Sequence, residues 1–313
     1  MKESTIVGYD NNLRLHIEPF FGSTQLADVS LPHVREFLKA LLAKGLAPAT
    51  VGKAMQLLKE MLKHAVQWGY LDANPAQYTE RPRIEDREME ILTPPEIRRL
   101  LDAADEPVRT LVLCAVLTGM RRGELLGLKW EDVDLEGEKI HVRRSLWRGK
   151  FTTPKSRRSR RAIDLAATLR AALARLPTRL QGELVFPGDR GKPIDPDNFM
   201  HRDWARVLRR SGLKRIRFHD LRHTYASLLI AQGAHPKYIQ VQLGHASIQT
   251  TLDRYGHLMP DIHQAEARKL DRLVFGERPL RPDTRGAAAR ELDAVRRVRN
   301  GCRDDEGASG ANR

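Results

Sequence analysis

Between Asn74 and Glu90 the sequence reads NPAQYTERPRIEDREME, a run with two prolines, many charges and few apolar side chains. Neither a helical stripe nor a strand alternation survives there, so a single continuous core cannot pass through it. The chain is therefore expected to fold as two bodies. Its 313 residues are enough to give each a core of its own. On this reading residues 1–80 form a first, helical domain, 81–90 a linker and 91–275 a second domain. Residues 276–313, rich in Arg, Ala, Gly and acidic residues and ending DDEGASGANR, are expected to form a mostly disordered tail.

The first body reads as helices. In LPHVREFLKALLAKGL the apolar residues Val34, Phe37, Leu38, Leu41 and Leu42 recur at helical spacing, and the pattern stops at Gly45. In the following APATVGKAMQLLKEMLKHAVQWGYL, Thr50 is the expected cap, and Met55, Leu58, Leu62 and Ala65 form the apolar stripe. Lys53, Lys59 and Lys63 lie largely off that stripe. They read either as a solvated face or, together with Thr50, as contacts to a phosphate backbone. After the break, ILTPPEIRRLLDAA starts a helix with Thr93 as N-cap, prolines in the first turn and Glu96 three residues on. PVRTLVLCAVLTGM is apolar enough for a buried helix. Around KWEDVDLEGEKIHVRRS the period shortens toward two, with a turn at Glu136-Gly137, and GKFTTPKSRRSRRAIDL ends in a second alternating run. Helical patterns resume from AATLRAALARL to ARKLDRLVF. The fold class that follows is mainly α with a small antiparallel β-sheet inserted among the helices of the second domain.

The formal net charge is +14 at pH 7, which raises the odds of a polyanionic partner. No apolar run approaches the ~18–20 residues of a membrane span, and MKESTIVGYD lacks a signal-peptide core. Nucleic acid is thus the expected partner, not a membrane. The two cysteines, Cys114 and Cys302, make neither a disulfide framework nor a zinc knuckle, which fits a reducing cytoplasm.

Four polar islands interrupt or cap apolar segments. In TGMRRGELLGLKWEDVD, Thr118-Gly119 ends a buried helix and Arg121 emerges where the backbone turns, with Glu124 placed to brace it. A purely structural ion pair is the alternative. TPKSRRSRR holds five basic residues, Lys155, Arg157 and Arg158 among them, in an expected β-hairpin; most of its arginines fit a solvated loop. In FHDLRHTYASLLIAQG, His219 and His223 are four apart on one helical face, a spacing that suits a metal. A zinc helix of that kind wants a glutamate after the first histidine, whereas here Asp220 follows and Arg222 brings a cation onto the same face. The metal reading is thereby weakened, and His223 reads as a packing or hydrogen-bonding residue. LGHASIQTTLDRYGHLMP carries His245 and Tyr255; a lone tyrosine beside a glycine is ordinarily packing.

Taken together, these residues have one chemistry in common. Arginine forks bind phosphate oxygens bidentately and keep their charge. Two of them, Arg121 and Arg222, would neutralise a phosphodiester and favour its more highly charged pentacoordinate transition state. A tyrosine oxygen can attack that phosphorus and form a covalent phosphotyrosine. Full deprotonation of a phenol at pH 7 costs about 4 kcal/mol, so a base or a cationic field must help. The leaving sugar oxygen needs a general acid, a role a lysine or histidine can fill. With the arginines in place, no divalent ion is required.

The islands, in this order, closely resemble those of the tyrosine recombinases, the phage-integrase family. TGMRRGELLGLKW looks like the first arginine box, PKSRRSRRAIDL like the β-hairpin lysine segment, HDLRHTYAS like the second box and LGHASIQTTLDRYGH like the last. YDNNLRLHIEPFFG resembles the opening of the family's helical, SAM-like core-binding domain. The resemblance implies a two-domain, C-shaped DNA clamp, with the core-binding domain at residues 1–80 and an α+β catalytic domain at 91–275. It implies that Tyr255 attacks a scissile phosphate to give a 3′-phosphotyrosyl link and a free 5′-hydroxyl. Arg121 and Arg222 hold the non-bridging oxygens, Lys155 protonates the departing oxygen, His219 is the base on Tyr255, and His245 donates a hydrogen bond. Neither metal, other cofactor nor ATP enters. The implied partners are double-stranded DNA recombination sites, three further copies of the chain in a tetramer, and a directionality factor. Many phage integrases carry a further N-terminal arm-binding module, so the expectation here is a simple two-domain enzyme or a truncated or inactive remnant. A type IB topoisomerase is the other reading, disfavoured by the small helical N-terminal domain and the last box.

Overall fold

The computed structural model describes residues 2–80, 82–83, 89–153, 160–214, 216–259 and 263–276. By its internal contacts the chain divides into two units, Met1–Gly256 and His257–Arg313.

The first unit contains two hydrophobic cores. The N-terminal one is built by α1 (Glu3–Asn12), a π-turn over Leu13–Ile17, α2 (Glu18–Phe21), α3 (Leu31–Ala43) and α4 (Pro48–Gln67). Phe20, Phe21 and Phe37 pack as an aromatic trio with ring centroids 4.8 to 5.3 Å apart. Val34, Phe37 and Leu41 from α3 are buried against Val51, Met55, Leu58 and Leu62 of α4. Leu42, expected in the stripe, is 46% exposed, because one residue past Leu41 turns about 100° away from the core-facing line. Thr50 does not cap α4. Ala47 holds the cap position and Pro48 enters the first turn, where its fixed φ suits a helix start. The run that begins at Asn74 is not free of this core: Ala76 is buried in it, and the Asn74 amide donates to the Lys59 carbonyl at 3.0 Å. Polar composition there reflects side chains satisfying backbone groups in a tight turn.

The second core begins at α5 (Pro94–Asp102), whose Glu96 carboxylate accepts from both the Thr93 N–H and hydroxyl, at 2.8 and 2.7 Å. α6 (Val108–Thr118) is buried along most of its length and packs on α11 (Asp220–Ala231). The short α7 (Arg122–Leu126) follows. Strands β1 (Val133–Asp134), β2 (Lys139–Val142) and β5 (Arg161–Asp164) form an antiparallel sheet in the order β1-β2-β5. Strands β3 (Ser145–Trp147) and β4 (Lys150–Thr152) form a separate hairpin. Its turn places Arg148 and Gly149 at φ 46° and 74°, the paired positive values of a tight hairpin. α8 (Ala167–Ala174), α9 (Pro196–Asn198) and α10 (Ala205–Ser211) complete the wall before α11; α12 (Pro236–Leu243) and α13 (Ile248–Tyr255) close it. Leu111, Leu125, Ile140, Ile163, Phe186 and Trp204 centre this core. In the second unit, α14 (His263–Phe275) leaves Leu270, Leu273 and Val274 exposed. Among the described residues no helix is long and apolar enough to cross a membrane. The expected tail falls outside the described residues beyond Gly276.

Phe37 is fully buried at the centre of a small core. Phe37→Ala should cost about 3–5 kcal/mol by equilibrium denaturation, whereas Leu42→Ala, on the exposed side of the same helix, should cost little.

Candidate active site

Four elements bring the predicted polar residues to one place. α6 ends at Gly119, whose φ of 59° is left-handed and whose Cβ, were there one, would collide with the Tyr225 ring. That turn aims the Gly119 carbonyl at Arg222 and throws Arg121 outward. α12 ends similarly at Gly244, φ 64°, and sends His245 back toward the same point.

Arg222 is 4% exposed and donates through Nη1 to the Gly119 carbonyl and through Nη2 to the Leu243 carbonyl, both at 2.6 Å. Burial and the neighbouring charges of Arg121 and Arg161 push its pKa down, but two carbonyl acceptors favour the cation and fix the direction of the fork. Arg121 caps α7 and is partly exposed; its Nη1 meets Glu124 Oε1 at 2.8 Å and its backbone N–H meets Oε2 at 3.0 Å. Glu124 is 3% exposed. Its other partner was not anticipated from sequence. Arg161, first residue of β5, bonds Glu124 Oε2 through Nη2 at 3.0 Å and the Gln242 carbonyl through Nε at 2.6 Å. Burial raises the Glu124 pKa, but the charges and hydrogen bonds of Arg161 and Arg121 outweigh it and hold the carboxyl below its ordinary range.

The histidines sit in this positive field. His219 is the exposed N-cap of α11; desolvation, then Arg222 and Arg121, lower its pKa. His245 is lowered to about 3, by burial first and then by Arg222 and Arg121. Its Nδ1 lies 2.9 Å from the Thr251 hydroxyl, which fixes the ring. The ring stacks on Tyr255, with planes 8° apart and centroids 6.5 Å apart. Tyr255, the last residue of α13, is 1% exposed, and burial raises its pKa. Among the described residues its hydroxyl is bonded by His223, not His219: His223 Nδ1 lies 2.8 Å away. Asp220 is turned aside, paired with Arg217 at 2.8 Å. Among the described residues no group of three or more His, Cys, Asp or Glu side chains gathers as metal ligands would.

A cavity of about 720 Å³ opens over Arg121, Glu124 and His219. Its far wall is the β3–β4 hairpin with Lys2 and Glu3; Lys2 Nζ donates to the Thr153 carbonyl at 2.9 Å, and Glu3 pairs with Lys150 at 2.7 Å. Lys155, Arg157 and Arg158 lie outside the described residues. Lys53 is exposed, Lys63 pairs with Glu60 at 3.7 Å, and Lys59 bonds the Gln77 carbonyl within its own core.

Two residues of the site escaped the sequence reading, Arg161 and Thr251, and so did the partner of His223, which was read as a packing or hydrogen-bonding residue. Arg161 had a signal. It shares the inward face of β5 with Ile163, two residues on, and both are buried. The others depend on which loop folds against which helix, and had none.

A helical first core, a small antiparallel sheet between helices, and paired arginines beside a buried tyrosine are the arrangement expected of the tyrosine-recombinase class. Residues 90–261 match the phage integrase family and residues 1–42 its N-terminal SAM-like domain. The ICEBs1 integrase of Bacillus subtilis is 31% identical over 277 residues, covering 83% of this chain and 75% of that protein. A XerC-like tyrosine recombinase of Caldanaerobacter subterraneus is 28% identical, with the same coverages. The Tn1549 transposon integrase, solved with a circular intermediate DNA, superposes with a TM-score of 0.75 at 23% identity, over 86% of this chain and 94% of that one. A lambda integrase tetramer on a Holliday junction superposes at 0.65 and 23% identity, over 83% of this chain and 73% of that one. The chain belongs to the phage integrase family.

Arg161→Met removes one of the two cationic partners of a buried carboxylate and should cost about 3 kcal/mol in unfolding free energy; adding Glu124→Leu should recover much of it. Because the folded Glu124 pKa is depressed, its contribution to stability is full above the ordinary carboxylate pKa and is lost as pH falls through the folded value. Glu124→Gln should therefore flatten the acid limb of a stability–pH curve.

Proposed function

We propose that this chain is a site-specific DNA recombinase that cleaves and rejoins strands through a 3′-phosphotyrosyl intermediate at Tyr255. The observation that carries the reading is the convergence at Tyr255. This residue lies far downstream of Arg121, yet it stacks on His245 and feels the charge of Arg222. A phosphodiester entering above Arg121 and His219 would meet two guanidiniums of fixed direction, one braced by Glu124 and one by backbone carbonyls. Neutral His219 and His245 can each donate a ring N–H to phosphate oxygens without adding repulsion between cations. Attack by Tyr255 forms the P–O bond and releases the 5′ oxygen, to which Lys155 delivers a proton. Attack by a partner strand's 5′-hydroxyl reverses the step, so the bond energy is conserved and ATP is not needed.

The charge of +14 supports a duplex DNA substrate, with Thr50, Lys53, Lys63, Arg157 and Arg158 as backbone contacts. The Lys59 ammonium, already bonded to Gln77, is the weakest member of that set. We extend to this chain the tetrameric assembly on two duplexes, a directionality factor that biases integration or excision, and a cytoplasmic setting beside the DNA.

Tyr255→Phe should abolish covalent adduct with a nicked suicide substrate while leaving DNA affinity unchanged, and the unsubstituted chain should form the adduct in EDTA. An adduct with the Phe variant, or loss of cleavage in EDTA, would overturn the mechanism. Affinity for DNA should fall steeply between about 50 and 200 mM salt, measured by fluorescence anisotropy; a flat response would remove the DNA reading.

A further inference from the structure

We infer that His223 is a catalytic residue of this reaction: it holds the Tyr255 hydroxyl and takes its proton as the hydroxyl attacks phosphorus. The inference rests on the phosphotyrosyl reading above and assigns the base within it.

The geometry is direct. His223 Nδ1 and Tyr255 Oη are 2.8 Å apart, inside the reach a general base needs. His223 lies one turn into α11 beyond His219, and the two rings meet edge to face with centroids 5.2 Å apart. His219 thus faces the cavity while His223 faces the tyrosine. Both residues of the contact are almost wholly buried, 4% and 1% exposed. A buried phenol keeps its proton and donates it to Nδ1, which leaves Nε2 as the protonated nitrogen of a neutral ring.

The groups facing His223 are His219 and Asp220 on its own helix start, Arg217 before it, and Arg254 and Tyr255 on α13. Burial first, and then the repulsion that two protonated rings, His219 and His223, would suffer, lower its pKa to about 4, so it stays neutral and able to accept through the neutral range. A weak base suffices, because the tyrosine oxygen loses its basicity as the bond to phosphorus forms. The proton balance closes. On cleavage the Tyr255 O–H breaks, Nδ1 gains the proton, the P–O bond to tyrosine forms, and the P–O5′ bond breaks with a proton from the general acid. On rejoining, the imidazolium returns its proton to the departing tyrosine. The same hydrogen bond keeps the covered hydroxyl protonated until a phosphate is engaged.

The test is single-turnover adduct formation on a nicked suicide substrate across neutral to mildly alkaline pH. His223→Gln keeps a hydrogen-bonding side chain but cannot be protonated. It should slow adduct formation on the order of 10²-fold or more and turn a flat pH profile into one that rises toward the phenol pKa. A fluorinated, more acidic tyrosine at position 255 should restore much of the rate in that variant. In the otherwise unsubstituted chain, the same fluorinated tyrosine should leave the profile flat, a measurement that does not depend on how well His223→Gln folds. An unchanged rate and profile in His223→Gln would reduce His223 to packing, and a faster rate would make it a restraint on the nucleophile; either overturns the inference. So would a fluorotyrosine-shifted profile in the chain that retains His223. Absence of any adduct from the unsubstituted chain would instead overturn the phosphotyrosyl reading itself.

Discussion

Glu124 is a carboxylate withdrawn from water between two guanidiniums, and the site is organised around it. An ionised carboxylate in that position is tolerable only if it is charge-paired and its lone pairs are used. Arg121 and Arg161 satisfy both conditions from opposite sides, one at the start of α7 and one at the start of β5. Arg161 then reaches the Gln242 carbonyl, next to the Leu243 carbonyl that accepts from Arg222. Four segments distant in sequence are thereby pinned by one charged cluster. Such clusters have little tolerance for a missing member, because each partner is satisfied only through the others.

The cluster also sets the electrostatics of everything near it. The field of Arg121, Arg161 and Arg222 exceeds what one carboxylate neutralises. His219 and His245 respond by staying neutral, with burial first and then Arg222 and Arg121 lowering their pKa values. Neutral imidazoles beside fixed guanidiniums give a division of labour: permanent charge comes from arginine, and hydrogen bonding or proton exchange from histidine. An anion entering this field gains attraction without first displacing a bound counter-charge from Arg121, whose carboxylate partner is shared with Arg161.

The tyrosine sits at the inner edge of this arrangement. Burial works against its ionisation while Arg222 and Arg254 favour it. The phenol is thus held protonated but near positive charge. The orientation of that proton is set by α11: His219 and His223 share one helical face, but His219 sits at the exposed N-cap while His223, one turn further in, is buried against the Tyr255 hydroxyl.

Much of this was legible in the residues alone. The Thr93–Glu96 pairing, the buried α6 and the apolar stripe of α4 follow from local spacing, since neighbouring turns of a helix meet whatever the rest of the chain does. The order and types of Arg121, His219, Arg222, His245 and Tyr255 pointed to the family to which the chain belongs. Tertiary structure decided which of them touch. It turned Leu42 outward and packed the unpromising Ala76 inward. It converted Arg161 from a member of a basic run into the partner of a buried acid, and gave the tyrosine hydroxyl to His223. The reason is physical: spacing fixes which side chains share a face, but partners far apart in sequence are chosen by packing, which decides where a charge is buried and what must then neutralise it.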